Sequence, residues 1–467
     1  MAPSSNPQKY HCRSALSLPF KVNIGLVVDG VLDASILREK YAQLIELWPL
    51  LGGTLLSTFD PRKFQCGSTV DFESRTVAKD LASFLPFSWS GGAHPNPRIL
   101  NDDPTGDDEK FLFHASVNPA STSKLRVTIL DNGTLLGFGF SHSLCDGQSG
   151  YDIINYFCKL LSGQQIPKSV LPPDALGARI SDLVREETTE PIPAQPEEGG
   201  FVTNHLRALK FHGIYLLMRV KELLGLAPKL THKLVHLPGA WVDELRMRAQ
   251  KELEGSSDYS GSAIQLTRND LITALYLKMV YGAKKPSTSN SPVDFIGPIN
   301  YRGLLQPPED GTFYPHNSII FLICQLSERE LQTHSIAAIA ARIRLSTIQY
   351  RHPEVIKRQI RLLEDKVLAP AMQDLRGGVK WGTAMVSPWT TFNYLSLDFS
   401  GASREGRKAS VVFVTPNTPL SLGVLPSPFT ITLKDGAGGY WLRGANTQRG
   451  WEAFDRITMM DSLFAST

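Results

Sequence analysis

The sequence has little of several features that would each point to a particular class of protein. Its five cysteines are odd in number and never spaced as Cys-x-x-Cys, which argues against a disulfide scaffold or a zinc site and favours a reducing compartment. Its 48 Lys and Arg nearly balance 45 Asp and Glu, a formal net charge of +3, whereas nucleic-acid-binding domains are usually strongly basic. No apolar run reaches the ~18 residues of a membrane span, and the polar N-terminus lacks a secretory apolar segment. We therefore expect a cytoplasmic enzyme that binds no nucleic acid. We also expect the protein to be a monomer.

Common cofactor and nucleophile motifs are also missing. The sequence has no GxGxxG, no GxxxxGK[ST], no HExxH and no GxSxG, the patterns typical of dinucleotide, nucleotide-phosphate, zinc-protease and serine-hydrolase sites. The length of 467 residues and a hydrophobic content of 42% are typical of a soluble protein with two to four domains, at roughly 100–200 residues each.

The clearest local pattern lies between residues 124 and 163. Two β-rich runs, residues 124–130 and 134–140, flank Asp131-Asn132-Gly133, which predicts a hairpin. Apolar residues at helical spacing then predict a helix that ends near Gly163. The segment 141–147 is therefore a loop between a strand and a helix, where catalytic groups are often presented.

That loop contains His142, Asp146 and Gly147. Imidazole has an ordinary pKa of about 6.5 and suits proton abstraction at neutral pH, and a glycine allows a sharp turn. The residues alone leave two interpretations open: a catalytic base, or a core histidine with Asp146 capping the next helix. Cys145 fits a small buried filler better than a nucleophile.

The HxxxDG pattern is accompanied by other motifs that occur in a characteristic order. These are the helix and turn of residues 37–55 ending in WPLLGGTL; the predicted strand and helix of residues 229–253; Asn300-Tyr301-Arg302 with Gln306-Pro307-Pro308 and later Asn317; and Ser387-Pro388-Trp389 followed by Asp398-Phe399-Ser400-Gly401. Together they resemble the BAHD acyltransferases, whose superfamily includes peptide-synthetase condensation domains and carnitine and chloramphenicol acetyltransferases.

The resemblance implies an α/β fold made of two chloramphenicol-acetyltransferase-like domains of similar size. The N-terminal domain would span residues 1–200 and carry HxxxDG, and the C-terminal domain would span residues 201–467. A crossover near residues 165–230 would join the two domains. A central solvent channel between the domains would reach His142.

The resemblance also implies roles for individual residues. His142 would be the general base, and Ser387 and Trp389 would lie near the tetrahedral oxygen. Asp146 would pair with an arginine and keep the loop turned, while Arg302 and Asp398 would form a second structural pair, remote from the chemistry. The co-substrate would be acyl-coenzyme A, with no bound cofactor and no metal, and the acceptor a hydroxyl or amine of a small secondary metabolite.

Two departures and two alternatives accompany this prediction. The first Asp of the family's DGR segment is Asn300 here. The family's DFGWG is Asp398-Phe399-Ser400-Gly401-Ala402 here, which indicates a divergent, fungal-like branch.

The basic stretch 204–233 fits a coenzyme A contact, an interfacial helix or a plain solvated helix. A condensation-like or cyclising enzyme is one alternative, although Ser141 replaces the second His of that motif. A catalytically silent binding protein is the other, and the retained His142 argues against it.

Overall fold

The computed structural model describes most of the chain in fourteen stretches. They are residues 9–11, 21–56, 63–83, 95–100, 120–170, 184, 220, 224, 230–257, 264–282, 292–305, 312–364, 384–417 and 429–464. The basic stretch 204–233 falls outside them except for Val220, Leu224 and its last residues, so its role stays open.

The described strands and helices form a mixed α/β architecture. The strands are β1 (Lys9–His11), β2 (Lys21–Val28), β3 (Thr54–Leu55), β4 (Lys63–Gln65), β5 (Phe72–Thr76), β6 (Arg98–Leu100), β7 (Ser123–Ile129), β8 (Thr134–Ser141), β9 (Ser169–Val170), β10 (Leu230–Leu237), β11 (Pro292–Asn300), β12 (Thr312–Phe313), β13 (Ile319–Ser327), β14 (Ala384–Pro388), β15 (Val411–Asn417), β16 (Phe429–Lys434) and β17 (Tyr440–Thr447). The helices are α1 (Ala34–Leu47), α2 (Gly147–Leu161), α3 (Gly239–Glu254), α4 (Arg268–Tyr281), α5 (Glu328–Thr333), α6 (Ile336–Tyr350), α7 (Pro353–Glu364), α8 (Gln448–Glu452) and α9 (Phe454–Ile457).

A five-stranded sheet, in the order β15-β2-β8-β7-β5, forms the centre of the first domain. One face of β7 and β8 carries Leu125, Phe138 and Phe140, which are buried in the same hydrophobic cluster as Leu37 and Phe157 of α1 and α2. Side chains alternate between the two faces of a strand, so these residues place the two helices on one side of the sheet.

A seven-stranded sheet, in the order β13-β11-β14-β16-β17-β10-β6, forms the centre of the second domain. A second hydrophobic cluster covers it and includes α4, whose Leu271, Leu275 and Met279 are completely buried or nearly so. The molecule thus has two domains, each with its own core.

Each sheet takes a strand from the other half of the sequence. Strand β15 pairs antiparallel with β2 in the first sheet, and β6 pairs antiparallel with β10 in the second. A division of the chain at residue 200 therefore describes its connectivity and not its packing, and this boundary stays a prediction.

The local predictions around the motif are confirmed. The hairpin is β7–β8, its turn follows Ile129, and Gly163 lies after α2 with a φ of 70°, as expected for a glycine that follows a helix. The helix predicted at the start of residues 37–55 belongs to α1, which begins at Ala34. Asp33 caps α1, and its carboxylate accepts from the amides of Ser35 and Ile36. In the described part of the chain no helix combines the length and the apolar character needed to cross a bilayer.

Candidate active site

His142 lies in the turn between β8 and α2, immediately after the second strand of the hairpin. Its Nδ1 atom is buried, while the residue as a whole keeps partial exposure. Burial lowers the pKa of the imidazole below its ordinary 6.5, although the Asp146 carboxylate acts in the opposite direction. A buried cation lacks the stabilisation of water, so the ring is neutral at pH 7 and able to accept a proton.

Asp146 serves two purposes that the sequence had presented as alternatives. Its Oδ1 accepts from the amide of Ser149 at 2.9 Å, which caps α2. Its Oδ2 accepts from Nη2 of Arg302 at 3.1 Å, so the carboxylate pairs with an arginine as well. Burial by itself would raise the pKa of Asp146, but the charge of Arg302 and the amides of Ser318 and Ser149 hold it below its ordinary value.

Arg302 therefore binds the loop that carries His142 and Asp146, and the predicted Arg302–Asp398 pair is wrong. The Asp398 carboxylate instead accepts from the amide of Ser400 at 2.9 Å and from its hydroxyl. Ser400, which stands at a family glycine position, also accepts from the amide of Ala409 at 3.0 Å. Hydrogen bonds within residues 398–409 thus provide donors for the Asp398 carboxylate without an arginine.

A segment of the second domain also contacts the loop that carries His142. The Nδ2 atom of Asn317 donates to the carbonyl of His142 at 2.6 Å, and the amide of Ser318 donates to Oδ2 of Asp146 at 2.9 Å. Asn317 belonged to a resembling motif, but the sequence assigned it no role. Ser149 and Ser318 gave no signal at all, because a backbone amide donor is not encoded by a side-chain pattern.

Ser387 and Trp389 lie at the end of β14 and just after it. Ser387 is partly exposed and pairs with Ile431 in the sheet. Trp389 is 7% exposed, and its indole reaches the motif at Gly147, where a Cβ would lie 3.1 Å from Nε1. A cavity of about 450 Å³ lies beside the loop after Trp389, between residues 390–396 and the β16–β17 turn. The predicted central channel stays a prediction.

Gly147 was predicted to allow a sharp turn, and its backbone φ bears on whether that turn needs a glycine. The described glycines with positive φ are Gly163, Gly406 and Gly438, so the turn at 147 does not require the left-handed region that favours glycine. A Cβ at this position would instead lie 3.0–3.1 Å from the indole of Trp389.

In the part of the chain that the structure describes, no group of His, Cys, Asp or Glu is arranged to hold a metal ion. Cys145 is completely buried, which fits a filler of the core.

Comparison with known proteins identifies the fold and the family. A family model described as "Transferase family" matches residues 99–419. Acetyltransferase peniE of Penicillium patulum is 39% identical over 98% of this chain and 99% of its own length. Among solved structures, TRI101 of F. graminearum complexed with coenzyme A and deoxynivalenol gives a TM-score of 0.68 at 13% identity, covering 97% of both chains. Vinorine synthase gives 0.61 at 14% identity, covering 100% of this chain and 95% of its own. The family model and the long, 39% identical relative show that this chain belongs to the Transferase family, the BAHD acyltransferases.

Proposed function

We propose that the protein transfers an acetyl group from acetyl-coenzyme A to a hydroxyl or amine of a small fungal secondary metabolite, with His142 as general base. The donor is suggested by the coenzyme A bound in the F. graminearum TRI101 complex, and the acyl group by the name of the P. patulum relative. The observation that carries the proposal is the imidazole of His142, neutral because of burial yet partly exposed, in a loop fixed from both domains.

The proposed reaction needs no acyl-enzyme. His142 takes the proton from the acceptor O–H or N–H as the acceptor atom attacks the thioester carbonyl carbon. Because Nδ1 is buried, we assign this step to Nε2. The tetrahedral intermediate then expels the coenzyme A thiolate, which receives the proton from the imidazolium.

Two groups are candidates for stabilising the negative oxygen of that intermediate. The indole N–H of Trp389 is a donor only, and it lies against the first residue of α2. The hydroxyl of Ser387 lies two residues before it on β14. A single donor of this kind contributes about 10²–10³-fold to the rate.

The test is the turnover of His142→Ala, measured as release of free thiol from acetyl-coenzyme A with a panel of primary and secondary alcohols and amines. General base catalysis is worth about 10²–10⁴-fold, and we expect a loss in that range with an unchanged circular dichroism spectrum. His334→Ala, at an exposed histidine, is the matched control and should keep full activity. Turnover of His142→Ala within tenfold of the unmodified protein would end the proposal.

The same assay separates the alternatives. Turnover of free acetyl-coenzyme A excludes an enzyme that requires a carrier-bound donor, as a condensation-like reaction would. The absence of turnover with every donor and acceptor tried would favour the silent binding protein.

A further inference from the structure

Gly147 is the first residue of α2 and directly follows Asp146. Its backbone conformation does not call for glycine, since its φ is not positive. Within a helix alanine is favoured over glycine, so local structure would prefer a side chain here. The glycine therefore needs an explanation from tertiary contacts.

The indole of Trp389 supplies that explanation. A Cβ added at position 147 would lie 3.0 Å from Cε2, 3.0 Å from Cζ2 and 3.1 Å from Nε1 of Trp389. Carbon atoms pack favourably at about 3.5–4.0 Å, so even a methyl group would overlap the indole. These three atoms are neighbours in the ring, so the part of the indole nearest the loop includes the nitrogen that carries the N–H.

Trp389 has little room to move away from such a group. Its side chain is 7% exposed, and its amide donates to the carbonyl of Thr432 at 2.8 Å. Phe392 and Tyr394 flank the ring, with centroids 5.7 Å and 6.2 Å away. Tightly packed interiors absorb an added methylene only by shifting their neighbours, and the indole is the nearest neighbour.

The loop on the other side of this contact is equally fixed. Asp146, one residue before the glycine, is held by Arg302 and by the amide of Ser318. The position of the indole N–H relative to His142 therefore depends on how closely the ring approaches the backbone at residue 147.

We propose that Gly147 is a positioning residue for Trp389. The missing side chain lets the part of the indole that includes the N–H lie directly against the loop that carries His142. This close approach sets the distance between the proposed base and the proposed oxyanion donor. This inference rests on the proposed function, in which Trp389 stabilises the tetrahedral oxygen.

The test is a double-mutant cycle on Gly147→Ala and Trp389→Phe. With acetyl-coenzyme A and the best acceptor of the panel, Gly147→Ala should lower kcat at least tenfold and leave KM for acetyl-coenzyme A within twofold. A phenyl ring is smaller than an indole and has no N–H to misplace. In the Trp389→Phe background the same glycine substitution should therefore change kcat less than twofold.

A helix-end glycine without this contact provides the control. At Gly255 a Cβ would meet nothing closer than 3.7 Å, and Gly255→Ala should leave kcat unchanged. Equal loss of kcat in both backgrounds, or full kcat in Gly147→Ala, would overturn the inference and leave His142 as base untouched. Full activity of Trp389→Phe would overturn both the inference and the part of the indole in the proposed function.

Discussion

Arg302 joins two distant parts of the chain through a single guanidinium nitrogen. Its Nη2 lies 3.1 Å from Oδ2 of Asp146, 2.8 Å from Oγ of Ser149 and 2.9 Å from the carbonyl of His316. Asp146 is 1% exposed, and a buried carboxylate is tolerated only when it is paired and hydrogen-bonded. The arginine thus stabilises both the turn that carries His142 and Asp146 and the contact of that turn with the second domain.

Replacement of this arginine should be strongly destabilising. In Arg302→Gln the Asp146 carboxylate loses its charged partner, and breaking a buried pair costs about 3–5 kcal/mol. We expect the free energy of unfolding in urea to fall by that amount. Arg302→Gln combined with Asp146→Asn should lose less than the sum of the two single changes, because no buried charge remains.

The control is Arg407→Gln, which removes an ion pair with Glu405 in which both side chains are at least half exposed. Exposed pairs contribute about 0–1 kcal/mol. An effect of Arg302→Gln as small as that of the control would contradict the structural role of the Arg302–Asp146 pair.

The pH dependence of the reaction should report the burial of His142. A histidine with a lowered pKa stays neutral, and so able to accept a proton, at pH values where an exposed imidazole is already protonated. We expect kcat/KM to stay constant as the pH falls through 6.5 and to decline only below it. A decline centred above 6.5 in the free enzyme would show that the titrating group is not this imidazole.

The altered DFxxG motif packs against the first domain through a short turn. The short turn Ser400–Ala402 contacts the end of α2, where a Cβ at Gly401 would lie 2.0 Å from the carbonyl of Leu161. The carbonyl of Ala402 accepts from the amide of Asp33, at the start of α1, at 2.7 Å. Phe399 is completely buried in the core of the first domain. The turn therefore packs on the first domain, although the family's Trp and final Gly are missing from it.

Gly401→Ala should destabilise this docking. The obstacle is a backbone carbonyl, which cannot rotate away as a side chain can, so we expect a loss at or above the usual 1–3 kcal/mol of overpacking. Thermal unfolding followed by circular dichroism would measure it. At Gly436 a Cβ would meet only a side-chain atom of Leu395 at 3.6 Å, so Gly436→Ala is the control. Equal melting temperatures for the two variants would contradict this account.

At the scale of the whole molecule, the two domains are joined by exchanged strands. Strand β15 comes from the C-terminal half and covers the edge of the first sheet along six register positions from Val28 to Asn23. Phe413 and Val411 add to the first hydrophobic cluster. A sheet that loses an edge strand exposes unpaired backbone groups and apolar surface.

A fragment of residues 1–200 should therefore fail to fold by itself. We expect it to be aggregated or to lack a cooperative thermal transition, whereas the full chain shows one. The same fragment mixed with a peptide of residues 408–418 should regain part of its order. A cooperative transition of the fragment alone would show that the first domain does not depend on β15.

Local structure followed from the sequence where the interactions are local. The β7–β8 hairpin, α1 and α2 are fixed by turn residues, caps and apolar spacing within a few residues of one another. His142 was placed after a strand for the same reason, and the order of motifs was enough to indicate the family.

Other features were decided only by the tertiary structure. Arg302 pairs with Asp146, 156 residues away. Asp398 accepts instead from the amide of Ser400 within its own turn. Gly147 lies against the indole of Trp389, 242 positions later in the chain. Strands β6 and β15 each pair in the sheet whose other strands come mainly from the other half of the sequence. Such contacts depend on which buried groups meet once the cores are packed, and spacing along a sequence carries no information about distances across space.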